Sequence, residues 1–281
     1  MSRRRLRRTI QESNIQDKDK PFSVPLFSGI GNIIQSLPFA FEMKRRYGKV
    51  TAFHQAMGFP ETRFLINDIF DRIYARRTRV PDKYRFASVP RRRSFSEYKS
   101  WFTDNNEPLP KKFRVDFIGF QEVTMKHKVV IWPECQSNWI CKRWLGWPTL
   151  TPLLDDVAVV GTREITDPKK RFPNATDYRG KLSLMETGGL IHNAEIFIGN
   201  EGGIAHYAAA LGIKTYIIFG CTDPVKCMPP RNAIAISKNL GCQPCHFKRM
   251  QQRGSVVWGC ANRQCLSSLT AKDIMRVIEA I

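Results

Sequence analysis

In the run GNEGGIAHYAAALGIKTYIIFG, residues 199–220, the types and spacing of Glu201, Gly202, Gly203 and His206 suit the holding of an anion. Paired glycines at a helix start let an anion reach first-turn N–H groups that have no helical partner and carry partial positive charge. His206, one turn on, offers a donor to a phosphate oxygen, and Glu201 offers an acceptor to sugar hydroxyls. The same pattern also fits a tight turn followed by a satisfied core histidine, and spacing alone does not choose between them.

A second cluster closes the chain: Cys242, Cys245, Cys260 and Cys265 read C-x2-C-x14-C-x4-C. Four thiolates suit a tetrahedral, closed zinc site, with His246 able to replace one ligand. Free buried thiols are the alternative. The position before the closing helix favours stapling over catalysis. The sequon at Asn174 has meaning only in a secreted chain.

Both clusters need elements to position them. SVPLF reads as a strand, SGIGN (28–32) as a Gly turn, and IIQSLPFAFEMKRRYG as a helix with a basic end and a glycine stop. KVTAFHQ is a second strand and PETRFLINDIF a second helix, the opening of a parallel α/β domain. Residues 72–114 loosen into basic sequence with one helix over 94–102. A second α/β unit begins near Lys126: strands at KHKVVIWPE, VAVVGT, EIFIGN, KTYIIFG and NAIAIS. Helices are expected over 139–145, in the run ending at METGGLIHNA, at EGGIAHYAAALG and at LTAKDIMRVIEAI. Strands alternating with helices imply doubly wound parallel sheets, with ligands at the strands' carboxyl ends. The division is a basic, disordered arm over 1–20, an N-terminal Rossmann-like domain over 21–125 and a C-terminal one over 126–281, facing a central cleft.

Composition fits this reading. The 281 residues suffice for two domains, and 42% hydrophobic content marks a globular chain. No apolar run approaches the ~18 residues that span a bilayer. The basic start carries no apolar stretch, so a cytoplasmic protein without disulfides is expected. The net charge of +20 is uneven: residues 1–20 carry seven Lys/Arg against three Asp/Glu, and residues 72–114 thirteen against four. Such a field attracts polyanions: an anionic membrane surface, a phosphorylated glycolipid or nucleic acid. Nucleic acid is the least supported, because no aromatic–basic interleaving of a known module is present.

The run IHNAEIFIGNEGGIAHYAAALGIKTYIIFGCTDP resembles the signature of glycosyltransferase family 9, the heptosyltransferases of bacterial lipopolysaccharide. Glu201 stands at that signature's acidic position and Gly202 at its Ser/Thr position. Gly203 and His206 match directly, and Gly220, Thr222 and Pro224 fit its following turn. The resemblance implies a GT-B fold, a nucleotide-sugar donor (an ADP-sugar foremost) and inverting transfer without a catalytic metal. It implies an anionic glycolipid or oligosaccharide acceptor, with peripheral contact at the inner face of a membrane. It places Glu164 on the nucleotide's ribose and Lys142, or Arg143, on the diphosphate. SGIGN matches the N-terminal loop in which an Asp serves as general base, and its Gly31 is placed with the nucleotide-sugar-binding residues.

Here that residue is Asn32, and an amide takes no proton near neutral pH. Another base is then needed, His54 and Glu61 being nearest in sequence. Otherwise Asn32 only orients the acceptor, or the chain is a non-catalytic relative that keeps the nucleotide or glycan. The expectation is an inverting glycosyltransferase that moves a heptose-like sugar to a lipopolysaccharide-type acceptor. The alternatives are the degenerate relative and a basic nucleic-acid-binding protein.

Overall fold

The computed structural model describes residues 20–26, 29–54, 69–75, 77–88, 90, 97–113, 118–135, 139–162, 171–246, 260 and 263–280. The expectations for the basic arm, for the helix at PETRFLINDIF up to residue 68, and for Glu61 and Glu164 lie outside these residues. The chain divides into two compact units, Met1–Arg92 with Tyr98–Arg114, and Arg93–Glu97 with Val115–Ile281. Among the described residues, no helix is long and apolar enough to cross a membrane.

The first unit carries a parallel sheet ordered β3-β2-β1-β4, from β1 (Phe22–Leu26), β2 (Val50–His54), β3 (Arg72–Tyr74) and β4 (Arg85–Phe86). Every residue of β1 is buried, as suits a central strand covered on both faces. Helix α1 (Ile30–Tyr47) makes the crossover. It opens after Gly29 at φ +100° and closes on Gly48 at φ +72°, both in the glycine-favoured region. Lys44, Arg45 and Arg46 fill its last turn, where cations offset the helix dipole.

Helix α2 (Glu97–Thr103) adds Trp101 and Phe102 to an aromatic core. The Phe39 ring meets Phe22 edge-on at 5.1 Å and Phe102 at 5.3 Å. Buried Glu107 accepts from Arg46 (2.9 Å), Arg85 (2.7 Å) and the Tyr47 hydroxyl (2.8 Å), fixing the end of α1 to β4. The stretch read as loose basic sequence thus contains two strands, of three and two residues, too short for an alternating pattern to show.

The second unit holds a six-stranded parallel sheet ordered β10-β9-β8-β5-β6-β7. Its strands are β5 (Val129–Trp132), β6 (Val157–Val159), β7 (Ala175–Asp177), β8 (Ile196–Asn200), β9 (Lys214–Ile218) and β10 (Ala233–Ile236). Numbered from β5, this is the doubly wound order 3-2-1-4-5-6, which reverses between β5 and β8. Helices α3 (Trp147–Leu150), α4 (Leu184–His192), α5 (Gly203–Ala210), α6 (Pro224–Cys227), α7 (Gln264–Ser267) and α8 (Ala271–Glu279) complete it.

Capping boxes at Ser183–Glu186 and Thr270–Asp273 start α4 and α8. One apolar layer, with Val129, Ile131, Ile198, Ile218, Trp144 and Ile274, covers one sheet face. A second, with Val130, Phe197, Ala205, Ala208 and Ile217, covers the other.

Three expectations are corrected. The helix over 139–145 is a single 3-10 turn, Ile140–Lys142, because Gly146 and Pro148 start a new helix immediately beyond it. The sequon lies at β7, where no strand was expected, with Asn174 turning the chain at φ +61°. The SGIGN turn ends at Gly29, so Gly31 and Asn32 belong to the first turn of α1 rather than to a loop.

Candidate functional site

The polar residues singled out after β8 collect at the reversal point of the second sheet. Asn200 ends β8 fully buried, and its side chain holds three segments together. Its Nδ2 donates to the Pro133 (2.6 Å) and Glu134 (3.3 Å) carbonyls just beyond β5, and its Oδ1 accepts the Trp144 N–H (3.1 Å). Asn200 was not singled out from sequence; only its place at a strand end beside the glycine turn could have flagged it.

Glu201 follows, 6% exposed. The Lys142 ammonium forms an ion pair with Glu201 Oε2, and the Thr222 hydroxyl donates to the same oxygen at 3.0 Å. Burial alone would push the Glu201 carboxyl up, but the Lys142 ammonium overrides it and holds the group below its ordinary value. Burial likewise works against the Lys142 charge and Glu201 outweighs it, so that lysine is raised. Both partners are therefore charged at neutral pH. Of the two diphosphate candidates, Lys142 is the one brought to the glycine turn, and its ammonium also lies 4.6 Å from the Trp139 ring centroid. Arg143 lies beside the Cys135 thiol instead.

Gly202 is the N-cap of α5 in extended backbone, and it is the absence of a side chain that matters there. A Cβ would come within 2.8 Å of the Trp132 ring at the end of β5. The turn is thus pressed against the neighbouring strand, and the first N–H groups of α5 open at the carboxyl edge of the sheet. His206, in that helix's first turn, is 3% exposed. Burial lowers its pKa to about 4, with Lys142 acting the same way and Glu201 against it, so the imidazole is neutral at pH 7.

The adjoining loop is rich in sulfur. Gly220 lets its segment press on the Cys141 carbonyl, 2.6 Å from where a Cβ would stand. Cys221 Sγ donates to Cys141 Sγ at 3.2 Å, and that bond lowers the Cys141 pKa while raising that of Cys221. The Cys245 and His246 N–H groups both donate to the Cys221 carbonyl, at 3.1 and 3.0 Å. Of the C-terminal cysteines, Cys265 is pushed up to about 11 by burial and then by Cys245, Cys242 and Cys260. Among the described residues, no group of three or more His, Cys, Asp or Glu is placed to hold a metal ion.

The structure thus brings Lys142, Glu201, Gly202, Gly203, His206 and Thr222 together at the end of β8. Gly31, Asn32 and His54 belong to the first unit. There the register pairs His54 with Leu26, which places it at the sheet edge from which the Gly29 turn leaves.

Two Rossmann-like α/β units with parallel sheets, the second bearing a glycine turn at its reversal point, define a GT-B glycosyltransferase fold. Residues 111–255 match the model of glycosyltransferase family 9 (heptosyltransferase), and the chain belongs to that family.

Over 84 residues it is 37% identical to lipopolysaccharide heptosyltransferase 3 of Escherichia coli; the match covers 30% of this chain and only 24% of that relative's length. The structure is similar to the iron-containing dodecameric glycosyltransferase TibC from enterotoxigenic E. coli (TM-score 0.70, 16% identity, 93% of this chain and 76% of that one). TibC in complex with ADP-D-beta-D-heptose gives a TM-score of 0.68 at 17% identity, with the same coverage. A family 9 glycosyl transferase from Veillonella parvula gives 0.69 at 10% identity, covering 93% and 97%.

Proposed function

We propose that this chain is an inverting glycosyltransferase that moves a heptose-like sugar from an ADP-sugar to an anionic glycolipid or lipopolysaccharide-type acceptor. The carrying observation is the buried Lys142–Glu201–Thr222 group set against the α5 N-terminus at the reversal point of the sheet. The TibC complex with ADP-D-beta-D-heptose supports the donor class. Displacement at an anomeric carbon releases negative charge onto the departing diphosphate. Lys142 and the first-turn N–H groups of Gly203 and its successors are the groups that would neutralise it. Glu201, fixed by Thr222, keeps Lys142 aimed. A neutral His206 adds a donor or an acceptor without a competing charge. Glu164 belongs to the same reading, on the donor ribose.

The acceptor hydroxyl must lose a proton, and Asn32 takes none. His54, at the same sheet edge as the Gly29 turn, is the general base of this reading, with Asn32 orienting the acceptor and Gly31 kept among the donor-binding residues. The excess of Lys and Arg over 72–114 supports an anionic acceptor and peripheral contact with an anionic membrane. The reading also holds that Cys242, Cys245, Cys260 and Cys265 carry a structural metal. The sequence spacing of these four thiols supports it, and thiolate donors suit zinc.

Titration calorimetry with ADP, UDP and GDP tests the donor site: binding of ADP is expected, and heat from none of the three would sink the reading. Asn32 itself favours one second reading, a relative that binds donor without turnover; transfer from ADP-heptose to a lipopolysaccharide core would dismiss it.

A further inference from the structure

We propose that Cys141 and Cys221 are a disulfide-forming pair, closed by oxidation beside the Lys142–Glu201 ion pair. The sulfurs are 3.2 Å apart, and a disulfide needs about 2.05 Å, so a small movement closes the bond. Three features hold the two segments at this range. Gly220 has no side chain to keep its backbone off the Cys141 carbonyl. The Cys245 and His246 N–H groups fasten the Cys221 carbonyl. Both thiols are buried in one small apolar cluster with Cys245, against Trp139.

The oxidant is a peroxide, small enough for a buried thiol. Cys141 sulfur attacks one peroxide oxygen, the O–O bond breaks, and a sulfenic acid and water form. Cys221 sulfur then attacks the sulfenic sulfur, the S–S bond forms and a second water leaves. Two thiols and one hydrogen peroxide thus give one disulfide and two waters.

The pair adjoins the site on both sides, since Lys142 follows Cys141 and Thr222 follows Cys221, and both hold Glu201. Closing the bond ties the backbones on either side of the carboxylate and restrains the Lys142 turn. This consequence rests on the donor reading above; formation of the bond does not.

The test treats reduced full-length chain with equimolar hydrogen peroxide, alkylates the remaining thiols and maps peptides without reduction. A peptide linking residues 141 and 221, released by dithiothreitol and absent from Cys221→Ser, is expected. Both cysteines recovered alkylated, or Cys141 or Cys221 linked preferentially to Cys245 or Cys135, would overturn the pair. On the linked protein, calorimetry is expected to show ADP bound about tenfold more weakly than by the reduced chain. Equal affinity of the two forms would overturn the coupling to Lys142. Binding by neither form would count against the donor reading, with the peptide map still deciding the pair.

Discussion

The Lys142 ammonium and the Glu201 carboxylate, 59 positions apart in the chain, neutralise each other inside the second unit, with Thr222 donating to the shared oxygen. Breaking one half of such a buried pair costs about 3–5 kcal/mol, because the other charge is left without compensation. Lys142→Met is therefore expected to lower the unfolding free energy by that order and to abolish ADP binding. In that variant burial, the largest influence on Glu201, is opposed only by His206 and the Thr222 hydroxyl, and raises the carboxyl above the unfolded value. Stability is then lost as pH rises and returns as pH falls toward 5. Urea unfolding at pH 5 and 7 checks the sign, and a variant equally weak at both would contradict it.

His206 gives the wild-type chain the opposite slope. Its folded pKa is about 4 against an ordinary 6.5, so the unfolded chain binds the extra proton between those values. Stability is expected to fall as pH drops through that window, by roughly 3 kcal/mol at its lower end. His206→Gln removes the group, and its denaturation midpoint should fall less between pH 7 and 4.5 than the wild type's.

The parallel α/β class, the strands at VPL, VTAFH, VVIW, IFIGN, KTYII and AIAI, and the helices at Gly203 and Ala271 were legible in sequence. Apolar runs bounded by glycine and capping residues mark them strongly. The edge strands β3, β4 and β7 were not, since two or three residues carry no period. The glycine turn at the strand end was legible, but the partner of its carboxylate was not. The pairing of Lys142 with Glu201 is made by the crossover between β5 and β8, and local spacing holds no trace of it. The closeness of Cys141 to Cys221 escaped for the same reason, since 80 positions separate them in the chain.

Gly202 is held by Trp132 rather than by its own backbone, whose extended angles any residue adopts. Gly202→Ala should displace the indole at a cost of about 1–3 kcal/mol and shift tryptophan emission. Trp132→Leu in the same chain should recover the loss in thermal unfolding. No recovery would show that the glycine is needed for its conformation instead.

Asn32 lies in the first turn of α1, where a carboxylate would also favour the helix dipole. Asn32→Asp is expected to fold at least as well as wild type and to raise sugar transfer. His54→Gln should lower transfer in the wild-type background more than in the Asn32→Asp background. Equal losses in both would remove His54 as base.

Elemental analysis of the purified chain should find about one zinc per molecule, and the content should fall in Cys242→Ser and Cys265→Ser alike. Chelation is expected to lower the thermal midpoint while leaving transferase activity at low temperature. A metal-free chain with an unchanged midpoint would leave the cluster as buried thiols.

Asn200 faces two carbonyls with its amino end and one N–H with its oxygen. A carboxylate there would turn an oxygen toward the Pro133 and Glu134 carbonyls, and an aliphatic side chain would leave every one of these groups unanswered. The strands around it can exchange one apolar residue for another of similar volume. Position 200 has no such neighbour in chemistry, because only a short amide speaks to both sides. When this chain drifts in sequence, the joint between the end of β8, the segment just beyond β5 and the Trp144 turn depends on that side chain.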